Sequence, residues 1–102
     1  MVKKGFNQMH IKDLEVNQGR IMIVAEIIEM NNIREFNKFG KKGKVCNAMI
    51  KDSSGKIQLT LWDDQIDEYF VNDKIKITNG YVKEWQGEKQ LSVGKYGSIE
   101  KI

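Results

Sequence analysis

Over positions 56–62 the chain alternates without exception: Ile57, Leu59 and Leu61 are branched aliphatics, while Lys56, Gln58, Thr60 and Trp62 lie between them. A period of two admits a strand with one buried face and excludes an amphipathic helix. The preceding Asp52-Ser53-Ser54-Gly55 is a turn signal, with an Asp able to bond its own backbone and a Gly free to take positive φ. Positions 45–51 alternate in the same way, with Cys46, Ala48 and Ile50 against Val45, Asn47, Met49 and Lys51. Two such runs joined by a short turn read as a hairpin. Its polar face ends in Trp62, and an indole left in water forgoes a large burial gain. Either another part of the fold covers Trp62 or a ligand does.

The remaining segments read as further strands around this hairpin. Positions 20–30 are rich in β-branched residues and apolar on both faces, as in a strand buried on two sides or coiled through a closed barrel. Before them, Ile11 and Leu14 are spaced for one helical turn, and positions 1–10 are polar and aperiodic, a loose tail. Positions 32–43, with Gly40 and Gly43, read as a loop. At 63–71 the period changes. Ile66, Tyr69 and Phe70 fall at i, i+3 and i+4 of a short helix, with Asp63 or Asp64 as N-cap. A strand follows from Lys74 with Ile75 and Ile77 inward. Strict alternation would then bury Tyr81 and Trp85, whereas a bulge at Asn79-Gly80 turns Tyr81, Lys83 and Trp85 outward. After a turn at Gln86-Gly87, positions 90–93 form a last strand with Leu91 and Val93 inward. Five strands with one short helix between the third and fourth define an all-β class and a particular barrel, the five-stranded Greek-key OB-fold. Positions 11–102 form its single domain.

Composition narrows the function classes. No apolar run approaches the length that spans a bilayer, and no apolar segment follows Lys3-Lys4 as in a secretory leader. The single Cys46 precludes an internal disulfide, which fits a reducing compartment, and a cytoplasmic, nucleoid-associated protein is expected. The only histidine, His10, lies in the tail, and Cys46 sits mid-strand as a small hydrophobe. No metal-ligand spacing, phosphate-gripping glycine loop or nucleophile motif is present. The expectation is a binding protein without cofactor or metal, not an enzyme. Net charge is +3, and its distribution is uneven. Arg34, Lys38, Lys41, Lys42 and Lys44 cluster in one stretch, and Asp63, Asp64, Asp67, Glu68 and Asp73 in another, so a two-ended electrostatic surface is expected.

Nucleic acid is the ligand this inventory fits best. Trp62, Tyr81 and Trp85 are the candidate stacking residues, since single-stranded bases offer open π-faces. Lys56, Lys83 and Lys89 join Arg34, Lys38, Lys41, Lys42 and Lys44 as candidate phosphate contacts, and Phe36 and Phe39 either pin their loop or touch the ligand. All but two of the 17 basic residues are lysine, which favours point-charge contact with the backbone over bidentate reading of bases. Each feature also has a plainer reading: Trp62 packed under a loop, Tyr81 and Trp85 in the core if the bulge is absent, and lysines that only solubilise.

The series Asp52-Ser-Ser-Gly-Lys-Ile-Gln-Leu-Thr-Leu-Trp62, followed by Asn79-Gly80-Tyr81 and Trp85-Gln86-Gly87 to Gln90-Leu91, resembles the OB domains of archaeal single-stranded DNA-binding proteins and replication protein A. The resemblance covers about residues 11–93. It implies that the family's stacking aromatics correspond to Trp62, Tyr81 and Trp85, and it thereby implies the bulge-inverted register that strict alternation does not give. It further implies binding of single-stranded DNA with little sequence preference, in replication, repair or recombination. Many such proteins carry a zinc module, repeated OB copies or a partner-recruiting tail; within these 102 residues a single OB module is expected, either cut from or paired with something larger. Two alternatives stay open: an RNA-binding OB domain of the tRNA anticodon type, and an OB subunit whose partners are other OB subunits or replication and repair proteins.

Overall fold

The computed structural model describes residues 9–31 and 33–102. Strand β1 (Ile21–Met30) buries Ile21, Ile23, Ala25 and Ile27 and keeps Met22, Val24 and Ile28 half-buried on its other side. Next come β2 (Arg34–Lys38), β3 (Lys41–Asp52), β4 (Gly55–Trp62), the helix α1 (Asp64–Glu68), β5 (Lys74–Trp85) and β6 (Glu88–Lys101). The sheet order is β1-β5-β6-β4-β3-β2, and an additional β1–β3 pairing closes β1, β5, β6, β4 and β3 into a ring. All contacts in the ring are antiparallel except β4–β6, where Gln58 and Leu59 run parallel to Gln90 and Leu91. Closure leaves these five strands no free edge. The interior is filled by Ile23, Ile27, Ile50, Leu59, Leu61, Ile75, Ile77 and Leu91, each fully buried. Each such side chain contributes about 1.5–3 kcal/mol of burial free energy.

The hairpin of β3 and β4 forms in the register that the alternation requires, from Asp52 opposite Gly55 to Val45 opposite Trp62. Its turn is closed by a side chain rather than by a left-handed glycine, for Gly55 is not among the positive-φ residues. Asp52 Oδ1 accepts from the Ser54 backbone N–H (2.7 Å), the Ser54 hydroxyl (2.6 Å) and the Gly55 N–H (3.1 Å). Its Oδ2 accepts from Ile11 N–H at 2.9 Å. One carboxylate thereby ties the hairpin to the 3-10 turn Ile11–Asp13, whose Ile11, with the adjacent Leu14, is buried in the core. Of the expected loose tail, residues 1–8 lie outside the described residues. Met9 is held, its N–H donating to the Met22 carbonyl at 2.9 Å.

Four details depart from the sequence reading. The stretch 32–43 is not a loop: from Arg34 it is a hairpin in which Arg34 pairs with Val45, Phe36 with Gly43 and Lys38 with Lys41. Every residue of β2 is exposed, so neither face needed the apolar alternation by which strands are recognised. Helix α1 ends at Glu68. Ile66 and Tyr69 are buried, but the backbone is already extended at Tyr69, so Phe70 turns to the opposite side and is 62% exposed. Asp63 stands at the N-cap but does not cap. Its φ is +50°, and its carboxylate instead accepts from Lys44 N–H at 2.9 Å. Finally, β6 runs well past Val93, to Lys101.

The bulge is present. Ile23 pairs with Ile77 and Ile21 with Gly80, so β5 carries one residue more than β1 over this interval. Asn79 absorbs the kink at φ +57°, a conformation Asn tolerates better than most side chains. The register inverts there. Val82 (1% exposed) takes the inward position, and Tyr81, Lys83 and Trp85 face outward.

Candidate nucleic-acid interface

The outer face of β3, β4, β6 and β5 is set by register. Cross-strand partners share a face, so Lys51–Lys56, Met49–Gln58, Asn47–Thr60 and Val45–Trp62 form successive rungs on β3 and β4. Gln90 continues the Gln58 rung across β6, and its amide N–H donates to Gln58 Oε1 at 3.0 Å. On β5, Lys83 lies opposite Gln90, Tyr81 opposite Ser92 and Trp85 opposite Glu88. The result is a polar floor of Asn47, Thr60, Gln58 and Gln90, with Trp62 on one side and Tyr81 and Trp85 on the other. Thr60 Oγ donates to Asn47 Oδ1 at 3.3 Å and fixes part of that floor.

The aromatics are exposed: Trp62 is 40% accessible, Tyr81 38% and Trp85 62%. Leaving three large rings in water is costly unless something binds them. Trp62 is also positioned. Its backbone N–H donates to Gln65 Oε1 at 3.2 Å. The Phe36 ring meets it edge-on, with centroids 6.0 Å apart. Phe36 can lie there because Gly43 has no side chain; a Cβ at that position would fall 2.4 Å from the Phe36 ring. Lys83 Nζ stands 5.9 Å from the centre of the Tyr81 ring.

The candidate cations divide between two faces. Arg34, Lys38 and Lys41 share the Phe36 side of the β2–β3 hairpin and continue the aromatic face, which also carries Lys56, Lys83 and Lys51. Lys51 was not singled out from sequence, although its alternation with Val45, Asn47 and Met49 was the available signal. Lys42 and Lys44 fall on the opposite side of the hairpin, with Asn37 and Glu35 as their cross-strand partners. They line a cleft of about 580 Å³ together with Phe36, Gly43, Asp63 and Asp64. Part of the basic stretch is thus folded against part of the acidic one, which corrects the expectation of two separated ends. Lys89 lies on the other side of β6 from Gln90, and its ammonium donates to the Leu14 carbonyl at 2.6 Å. Phe39 sits at the hairpin tip, 95% exposed at φ +52°, far from any pinning role.

Among the described residues, no group of three or more His, Cys, Asp or Glu side chains is placed to hold a metal ion. Cys46 is buried, its S–H donates to the Asn31 carbonyl at 3.1 Å, and burial pushes its pKa up. A thiol held protonated in this way is a poor nucleophile.

A closed five-stranded barrel with this exposed aromatic face defines an OB-fold nucleic acid binding domain, and the chain belongs to that family, whose tRNA anticodon-type model matches residues 21–99. It is homologous to archaeal replication factor A and single-stranded DNA-binding proteins. It is 33% identical over 96 residues to replication factor A of Methanothermobacter thermautotrophicus, a match covering 88% of this chain and 12% of that protein. It is 21% identical over 89 residues to the single-stranded DNA binding protein Ssb of Saccharolobus solfataricus, covering 87% of this chain and 60% of the relative. The chain therefore spans less than two thirds of either curated relative. Among solved structures, the second OB-fold domain of replication protein A from Methanococcus maripaludis superposes with a TM-score of 0.75 at 30% identity. That superposition covers 94% of this chain and 95% of the other.

Proposed function

We propose that this chain binds single-stranded DNA with little sequence preference, in replication, repair or recombination, by stacking bases on Trp62, Tyr81 and Trp85. The observation that carries this reading is the placement of three exposed aromatic rings on one outer face with Lys56, Lys83 and Lys51. Stacking on each ring contributes about 1–3 kcal/mol per base. Two lysine pairs on this side, Lys51–Lys56 and Lys38–Lys41, are directly opposed across their strands. Like charges so placed repel each other, and a phosphate between them relieves the repulsion. The names of the relatives, a replication factor A and a single-stranded DNA binding protein, support the same ligand.

Trp62→Ala tests the reading. Affinity for a dT oligomer is expected to fall by about tenfold or more with nearly unchanged thermal stability. A large loss of stability at unaltered affinity would make Trp62 a packing residue and overturn the proposal. The anticodon-type name of the matched family favours RNA as a second reading. Competition between poly-U and dT oligomers of equal length separates the two, and an RNA preference would replace the DNA reading.

A further inference from the structure

Tyr96 is a large exposed aromatic that periodicity in the sequence does not single out, and the chain goes to some trouble to present it. In the pairing of β5 with β6, Thr78 lies opposite Ser98 and Gly80 opposite Val93. Residues 94–97 consequently stand against Asn79 alone on β5, four residues against one, with Tyr96 83% exposed. This extrusion is bordered by two glycines, of which Gly97 makes the close approach. At one end Gly94 lies under the edge of Tyr81, where a Cβ would sit 3.6 Å from the Tyr81 ring. At the other, Gly97 passes so close to the backbone that a Cβ would fall 2.8 Å from the Asn79 carbonyl oxygen and 2.9 Å from that of Thr78. Asn79 then fixes the middle, its side-chain amide donating to the Tyr96 carbonyl at 3.2 Å.

Asn79 thus does two things at once. Its left-handed backbone inverts the register that turns Tyr81 outward, and its side chain holds the backbone from which Tyr96 projects. From this we infer that Tyr96 is a fourth stacking residue, binding one further nucleotide beyond Tyr81 at the rim of the face. The inference rests on the single-strand reading above. Gly94 lies against the edge of the Tyr81 ring and Tyr96 follows two residues on, so its exposed phenol offers the base after the one on Tyr81 a sequence-tolerant surface. Pinning its backbone lowers the ordering cost of using it.

The test compares the unsubstituted protein with Tyr96→Ala, Tyr96→Phe, Asn79→Gly and Trp62→Ala, against dT oligomers of about 5 and about 12 nucleotides, lengths within the range one OB unit covers. Tyr96→Ala is expected to weaken the longer oligomer about five- to tenfold and leave the shorter within about twofold. Tyr96→Phe, which keeps the ring, should match the unsubstituted protein. Asn79→Gly, which accepts the same backbone conformation but lacks the amide, should show a smaller loss confined to the longer oligomer. Unchanged affinity of Tyr96→Ala for the longer oligomer, while Trp62→Ala has lost binding, overturns the inference and leaves the single-strand reading standing. An equal loss on both lengths also overturns it. If the unsubstituted protein binds neither oligomer, the reading itself fails and takes the inference with it.

Discussion

Phe36 meets Trp62 edge to face, the two ring planes inclined at 80° with their centroids 6.0 Å apart. The contact joins a hairpin that stands outside the barrel to the last residue of a barrel strand. It leaves the Trp62 ring partly open while limiting how that ring can turn. Phe36→Ala removes the edge contact and frees the indole to rotate. Affinity for a dT oligomer is expected to fall about threefold, within the 0.5–1.5 kcal/mol typical of such pairs. The melting temperature should stay nearly constant, because Phe36 touches no core residue through this contact. Unaltered affinity in Phe36→Ala would show that Trp62 needs no positioning.

Asp52 acts on stability through the turn it closes. Burial alone would raise its pKa, but the donations from Ser54, Ile11 and Gly55 outweigh burial and hold the carboxyl below its ordinary value. As pH falls, the unfolded chain therefore takes up this proton before the folded one does. The stabilisation is complete above about pH 4 and is lost as the pH drops through the lowered folded value. Asp52→Ala is expected to cost about 2 kcal/mol at neutral pH in urea unfolding, with the difference from the unsubstituted protein shrinking in acid. A difference that stays constant down to pH 2 would remove the charge from the explanation.

Ser92 lies opposite Tyr81 at 1% exposure, and its hydroxyl has no hydrogen-bond partner among the described residues. A buried donor without a partner carries an uncompensated desolvation penalty. Ser92→Ala removes the group at almost constant volume and is expected to raise stability by about 1 kcal/mol. A destabilised Ser92→Ala would show that the hydroxyl finds a partner in solution.

Cys46 supplies a check on the barrel interior. Its thiol is buried and raised in pKa. A thiol-specific reagent at neutral pH should leave it unmodified in the folded protein and modify it fully in denaturant. Rapid reaction under native conditions would mean that β3 opens locally.

Much of this architecture is legible in the chain because one side of each barrel strand is buried. The alternation of Ile57, Leu59 and Leu61 against Trp62 had to appear wherever the core meets a solvated face. Strict alternation left the bulge open; Asn79-Gly80 are residues suited to the kink it requires, and the family resemblance supplied the inverted register. What escaped had no burial signal. Strand β2 exposes both faces, so its strand character rests on pairing with β3 alone. Phe70 was assigned to a helical face because its i+4 spacing from Ile66 says nothing of where the helix stops. Lys89 was read as a phosphate contact from its charge alone; its bond to the Leu14 carbonyl was not legible, because Leu14 is distant in sequence and meets it only once the barrel closes. Tyr96 was missed for a related reason: an extrusion is a mismatch between two strands, and neither strand shows it alone.

The most direct test of the aromatic face is a titration of intrinsic tryptophan fluorescence with a dT oligomer, at low and high salt, alongside duplex DNA of the same length. Strong quenching by the single strand, weakening as salt rises, and little response to duplex is the expected result, since it sets Trp62 and Trp85 against bases and the lysines against phosphates. Absence of quenching at low salt, or equal quenching by duplex, would contradict base stacking on these rings.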